Sequence, residues 1–271
     1  MSPQIAFLGA GNMATAMITG LITQGFAPAQ LRACDPSEDA LSRLEAAGLT
    51  QLSTSPESLF ADVDLAVLAV KPQVVPDALS SMGHELSAGA ALLSIAAGIP
   101  ISSLRRHVEP DVAVIRCMPN TPAMIGLGAS ALYAGDDVKG EHRALAEQVT
   151  NAAGTTVWVA SENLLDAVTA VSGSGPAYFF ALIEAIARAG AELGLDEKVA
   201  MSLTLQTAMG AAALAQQSDD GVAKLRENVT SPGGTTEQAL LSLQSNQFEA
   251  IVFEAVRQCA ARAEALGKEF G

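Results

Sequence analysis

Gly9-Ala10-Gly11-Asn12-Met13-Ala14 is a GxGxxA run, the spacing that brings a pyrophosphate against peptide N–H groups at a helix start. Gly9 permits the tight turn, Gly11 lets the pyrophosphate approach the backbone, and Ala14 allows close helix–strand packing. Asp35 stands 21 residues beyond Ala14. An acid at that distance accepts a hydrogen bond from the adenosine ribose 2′-OH and repels a 2′-phosphate. Alanine at the third fingerprint position, by contrast, is common where the phosphorylated cofactor is accepted. The two signals conflict, so NADH and NADPH both stay open. Asp35 also precedes Pro36 at a turn, where it can serve the helix that follows.

Further small-residue turns follow strand-like runs. Val70-Lys71-Pro72, Ala96-Ala97-Gly98 and Met118-Pro119-Asn120-Thr121-Pro122 each end an apolar segment. That is the carboxyl edge of a parallel sheet, where doubly wound folds bind their ligands. In the second half, Ser172-Gly173-Ser174-Gly175-Pro176 opens a helix, with Pro176 suited to its first turn. Its glycines serve equally well to let helices cross closely. Ser231-Pro232-Gly233-Gly234-Thr235-Thr236 is a glycine-rich turn into another helix, with Thr235 or Thr236 as cap and Glu237 following. Such a turn offers backbone N–H groups to a small anion such as a carboxylate.

Other chemistries lack their residues. His84, His107 and His142 are scattered without metal-ligand spacing, so no metal is expected. No GxSxG elbow or Cys/His signature is present. Cys34, Cys117 and Cys259 are odd in number and far apart, which fits a reducing compartment better than a disulfide framework.

The elements that must hold these turns alternate through the first half. Strands are expected at Gln4–Leu8, Leu31–Cys34, Asp64–Val70, Ala91–Ile95, Val112–Cys117 and Ala129–Tyr133. Helices are expected at Asn12–Gln24, closed by Gly25, and from Ser37, with Glu38 and Asp39 in its first turn and Gly48 after its end. Alternation of this kind implies crossovers, a mostly parallel sheet and helices on both faces. From Asn163 onward no strand is expected. Glycine and proline divide that half into helices ending near Val171 and spanning Pro176–Gly194, Asp196–Gln217, Leu225–Val229, Thr236–Leu243 and Phe248–Leu266. The expected division is a dinucleotide-binding Rossmann domain over 1–160 and a helical domain over 161–271. The Pro176 helix carries Tyr178, Phe179, Phe180, Leu182, Ile183 and Ile186 around most of its circumference. A helix apolar nearly all round must be buried, which in so small a helical domain implies a second subunit.

Composition bounds the rest. The 271 residues are 49% hydrophobic and only 16% charged, a balance opposite to that of disordered chains. A net charge of −14 opposes binding to nucleic acid or an anionic membrane. No charged residue precedes Arg32. That start lacks the basic region of a signal peptide, and Gly9, Gly11, Asn12, Thr15, Thr19, Gly20, Thr23 and Gln24 interrupt any span. The expectation is a soluble cytoplasmic protein.

Together these motifs resemble pyrroline-5-carboxylate reductase over essentially the whole chain. The resemblance rests on IAFLGAGNMA at 5–14, AVKP at 69–72, RCMPNTP at 116–122, AVSGSGPAY at 170–178 and ENVTSPGGTT at 227–236. It implies a Rossmann domain followed by a helical dimerisation domain, with dimers often assembling further into decamers. It also implies reduction of a cyclic imine by hydride transfer from NADPH or NADH. Leu8, Gly9, Ala10, Gly11, Asn12, Met13, Ala69, Val70, Lys71, Pro72, Ile95, Ala96 and Ala97 match the family's dinucleotide contacts. Ser231, Gly233, Gly234, Thr235 and Thr236 match its pocket for the substrate carboxylate and imine. Thr236 then carries the catalytic hydrogen bond to the imine nitrogen, directly or through water. The sequence departs from some relatives at Asp35, where a small hydroxyl residue serves the 2′-phosphate, and at Ser55-Pro56, where an asparagine often touches the ribose.

A protonated cyclic imine is already a good hydride acceptor, which agrees with the missing metal and nucleophile motifs. A β-hydroxyacid dehydrogenase shares the fold plan, but resembles GSG followed along the helix by a lysine. Ser172 to Ala191 contains none. A non-catalytic dinucleotide-binding scaffold is the other alternative, and SPGGTT beside the fingerprint argues against it.

Overall fold

The computed structural model describes residues 2–82, 85–87 and 89–270. His84 lies outside the described residues. The chain runs β1 (Ile5–Leu8), α1 (Asn12–Thr23), β2 (Leu31–Cys34), α2 (Glu38–Ala46), β3 (Gln51–Ser53) and β4 (Leu65–Leu68). It continues through α3 (Val75–Met82), β5 (Ala91–Ser94), α4 (Ile101–Leu104), β6 (Ala113–Met118), β7 (Gly128–Ala134), α5 (Gly140–Asn151) and β8 (Gly154–Trp158). The remainder is helical: α6 (Leu164–Val168), a π turn at Thr169–Gly173, α7 (Gly175–Glu192), α8 (Glu197–Gln217), α9 (Val222–Asn228), α10 (Thr235–Ser245) and α11 (Phe248–Phe270).

The strands form one eight-stranded sheet in the order β3-β2-β1-β4-β5-β6-β7-β8. Every neighbouring pair is parallel except β6 with β7. This is the mostly parallel sheet expected, with β3 and β8 added at its edges. All residues of β1, β4 and β5 are buried, because helices cover both faces of the sheet. Ile5, Phe7, Leu65 and Leu93 point into one core with α1, α2 and α5; Ala6, Leu8, Leu68 and Leu92 point into the other with α3. On α1, Ala14, Met17, Ile18 and Leu21 are fully buried. Ala14 therefore packs a core.

Helix boundaries follow local chemistry. Ser37 caps α2 by accepting from Ala40 N at 3.3 Å, and Glu38 and Asp39 complement the dipole in its first turn. Asp196 caps α8 by accepting from Lys198 N at 2.9 Å and Val199 N at 3.3 Å. The chain divides into two compact units, Met1–Ser174 with Cys259–Gly271, and Gly175–Gln258.

In the helical unit, α7 buries only Gly175 and Ala187 within the chain. Phe179 and Phe180 remain 66% and 64% exposed, a large apolar face without cover from its own chain. Residues 164–192 have the length and mean hydropathy, 1.3, of a membrane-crossing helix. The π turn at Thr169–Gly173, with Ser172, Gly173 and Ser174, interrupts that stretch.

Candidate functional site: a dinucleotide crevice and a glycine-rich helix start

The crevice is built where the strand order reverses, between β1 and β4. Strands leave that point in opposite directions, so the loops after them part and leave room at the carboxyl edge. Gly9 turns the chain at φ +103°, a conformation natural only to glycine, and its N–H donates to Cys34 O at 2.7 Å. A Cβ on Gly9 would lie 2.5 Å from Ala69 O and 3.1 Å from Val70 Cγ1, so the β1 and β4 loops touch here. Ala69 N in turn donates to Leu8 O at 2.8 Å.

Gly11 caps α1, with nothing near its absent Cβ within 4 Å. Among the described residues, the N–H groups of Gly11, Asn12 and Met13 have no acceptor within the chain. Open space above Gly11, with three donors beside it, fits a pyrophosphate. Ala10 is different: it is fully buried, and its N–H donates to Asp35 Oδ2 at 2.7 Å. The Ala10 N–H thus serves the turn's own framework, and the open donors begin at Gly11. Lys71 is exposed and caps a short 3-10 turn at Pro72–Val74. Ile95 N donates to Leu68 O at 3.1 Å, while Ala96 is buried and Ala97 is exposed beside Gly98.

Asp35 closes the β2 side of the crevice. Besides Ala10 N, its carboxylate accepts from Ser37 N at 2.9 Å through Oδ1, and Asp35 N donates to Ser53 O at 3.2 Å. The buried Cys34 thiol beside it is pushed up to about 11, first by burial and then by the charges of Asp35 and Glu85. Burial pushes the Cys117 thiol up to about 12. Both thiols stay protonated at neutral pH, which removes them as nucleophiles.

Asn120, in the loop after β6, is a tie that the sequence reading left unassigned. Its Nδ2 donates to Ser172 O at 3.0 Å and its Oδ1 accepts from Ala129 N at 2.8 Å. The loop is thereby pinned both to β7 and to the SGSG segment. A Cβ on Gly173 would lie 2.4 Å from Met118 Cε, so this glycine permits close packing.

The second glycine-rich start lies in the helical unit. Pro232 and Gly233 occupy the corner of a tight turn, with Gly233 at φ +71° and Gly234 N donating to Ser231 O at 2.9 Å. These are the features of a type II turn. Gly234, rather than either threonine, is the cap of α10, and Thr235 and Thr236 fill its first two positions. Glu237 reaches back to accept from Gly233 N at 2.7 Å, so that N–H is already engaged. Its spacing is close to that of a capping box, which was the signal available for it in the sequence. Gly233 and Gly234 therefore shape the turn. Among the described residues, the N–H groups and hydroxyls of Thr235 and Thr236 have no partner within the chain. Ser231 is exposed beside them.

Strand order, the glycine turn at the switch point and the unclaimed α1 donors define the class: a Rossmann-type dinucleotide-binding protein with a helical second half. Comparison with known proteins narrows it. Residues 162–266 match the family model described as pyrroline-5-carboxylate reductase dimerisation, and residues 4–98 match NADP oxidoreductase coenzyme F420-dependent. A pyrroline-5-carboxylate reductase of Pseudomonas aeruginosa is 44% identical, covering 100% of this chain and 99% of that protein. The solved reductase of Coxiella burnetii superposes with a TM-score of 0.93 at 35% identity, covering 98% of this chain and 99% of its own. That of Plasmodium falciparum, solved with NADP bound, has a TM-score of 0.85 at 29% identity over 98% of each chain. The chain belongs to the pyrroline-5-carboxylate reductase family. The exposed face of α7 lies within the matched dimerisation region.

Proposed function

We propose that this chain reduces 1-pyrroline-5-carboxylate to L-proline, the final step of proline biosynthesis, with NAD(P)H held by the α1 start and the loops at 69–72 and 95–97. Ser231, Gly233, Gly234, Thr235 and Thr236 form the substrate pocket. The observation that carries this reading is the α10 start, where two adjacent threonines present unclaimed N–H and hydroxyl groups. The reduced nicotinamide, when bound, supplies the hydride. The protein's part is to orient the imine and exclude competing water. Thr235 and Thr236 N–H groups receive the substrate carboxylate at the positive end of α10. The Thr236 hydroxyl hydrogen-bonds the imine nitrogen; at its ordinary acidity it orients the nitrogen without acting as a strong acid.

The proposed division of labour has residues 1–160 binding the dinucleotide and 161–271 binding substrate and pairing with a second copy. The family resemblance supports further assembly to decamers. The −14 charge supports a protein without nucleic-acid or membrane partners, and the odd, widely spaced cysteines support a reducing, cytoplasmic setting. The lysine-free Ser172–Ala191 segment disfavours β-hydroxyacid chemistry.

Mixing the protein with pyrroline-5-carboxylate and NADH or NADPH is expected to give substrate-dependent loss of reduced-nicotinamide absorbance. No loss with either cofactor rejects the reading. Sedimentation at micromolar concentration is expected to give a dimer or a multiple of it. Phe180→Glu, placing a charge on the exposed α7 face, is expected to shift the population to monomers. A monomeric parent protein rejects the α7 interface.

A further inference from the structure

At the adenosine end of the crevice, a fixed carboxylate at the end of β2 and an exposed, lightly held guanidinium both reach the α1 start, at Ala10 and at Asn12. Asp35 has both oxygens engaged by backbone donors, Ala10 N at 2.7 Å and Ser37 N at 2.9 Å, and Pro36 stiffens the chain between them. Rotating the carboxylate away would strand the buried Ala10 N–H, so it cannot swing aside for an incoming anion. Glu38 and Asp39 add negative charge just beyond it, in the first turn of α2. The cation nearby is Arg43, from the last turn of α2. Its Nη1 reaches Asn12 Oδ1 at 3.3 Å, a single long bond between exposed side chains. The two signals that conflicted in the sequence are no longer equal. Ala14 is fully buried in the core, so its size answers to packing and carries no information about the ribose.

We propose that Asp35 is the specificity-determining residue that makes this site select the dinucleotide lacking a 2′-phosphate, and that Arg43 is a latent phosphate partner overridden by it. The carboxylate accepts from the ribose 2′-OH through its remaining lone pairs and repels a phosphate in the same place. With that charge removed, the Arg43 guanidinium can leave Asn12 and pair with the phosphate.

The inference rests on the assignment of the α1 start as the dinucleotide site, and binding probes separate the two. ADP-ribose and 2′-phospho-ADP-ribose are titrated calorimetrically into the full-length protein, its Asp35→Asn variant and the Asp35→Asn/Arg43→Ala double variant. The parent protein is expected to bind ADP-ribose at least tenfold more tightly. Asp35→Asn keeps an acceptor for Ala10 N and is expected to close that gap at least tenfold, by tightening the phosphorylated probe. Adding Arg43→Ala is expected to reopen it. Equal affinities in the parent, or a parent preference for the phosphorylated probe, overturn the inference whether or not the variants fold. Equal weakening of both probes by Asp35→Asn also overturns it, since Asp35 is then a strut for the turn alone. Binding of neither probe to the parent overturns instead the assignment of the site.

Discussion

Gly11→Ala is expected to weaken NAD(P)H binding at least a hundredfold while leaving the folded protein intact. Gly11 sits at φ −68°, which alanine adopts without strain, and the added methyl meets no protein atom within 4 Å. The methyl instead enters the space between the unclaimed N–H groups and the pyrophosphate they would receive. Losing that close approach removes several charge-assisted hydrogen bonds together, and a hundredfold change corresponds to about 2.8 kcal/mol. Gly9→Ala is the instructive contrast. Its Cβ would press on Ala69 O, and φ +103° is foreign to alanine, so roughly 1–3 kcal/mol of backbone strain enters the fold. Fluorescence titration of the reduced cofactor, with a thermal melt beside it, distinguishes the two. Gly9→Ala loses both melting temperature and affinity, whereas Gly11→Ala loses affinity alone. Parent-like affinity in Gly11→Ala rejects the α1 start as the phosphate site.

What the sequence discloses follows how local each signal is. The runs IAFL, LAVL and ALLS declare buried parallel strands because both faces are covered and, Ser94 apart, every residue is apolar. β8 escapes notice for the opposite reason. Its sequence GTTVW alternates half-buried and exposed positions at the sheet edge, and threonine blurs the contrast. β3 is three half-buried residues long, too short to carry a pattern. The antiparallel β7 is legible from loop length. Nine residues separate Met118 from Gly128, fewer than a crossover between parallel strands needs.

The site divides in the same way. The glycine turn is local and readable, but the bond from Ala10 to Asp35 spans 25 positions and depends on β1 and β2 lying side by side. The sequence offers Ala10 as a ligand contact; pairing of the strands commits its N–H to Asp35. A net charge of −14 has the same lesson for function. Dinucleotide and carboxylate are both anions, so attraction has to come from local N–H groups at α1 and α10, acting against the average field of the molecule.

Thr236→Ala is expected to lower kcat/KM for pyrroline-5-carboxylate at least tenfold with cofactor affinity unchanged. Alanine retains the N–H at the second position of α10 and the helix itself, so the turn built on Gly233 and Gly234 persists. The hydroxyl and the γ-methyl are lost, and with the hydroxyl the hydrogen bond that fixes the imine nitrogen. A tenfold loss corresponds to about 1.4 kcal/mol, the upper end of what one ordinary hydrogen bond contributes. If the hydroxyl mainly orients the imine in the transition state, kcat falls with kcat/KM; if it mainly binds the ground state, KM rises alone. Thr236→Ser restores the hydroxyl and is expected to recover most of the activity, while Thr235→Ala tests whether the neighbouring hydroxyl can substitute. Steady-state kinetics at saturating cofactor, with cofactor titration in parallel, make the measurement. Parent-like kinetics in Thr236→Ala remove Thr236 from the imine and leave its N–H as its only contribution to the pocket.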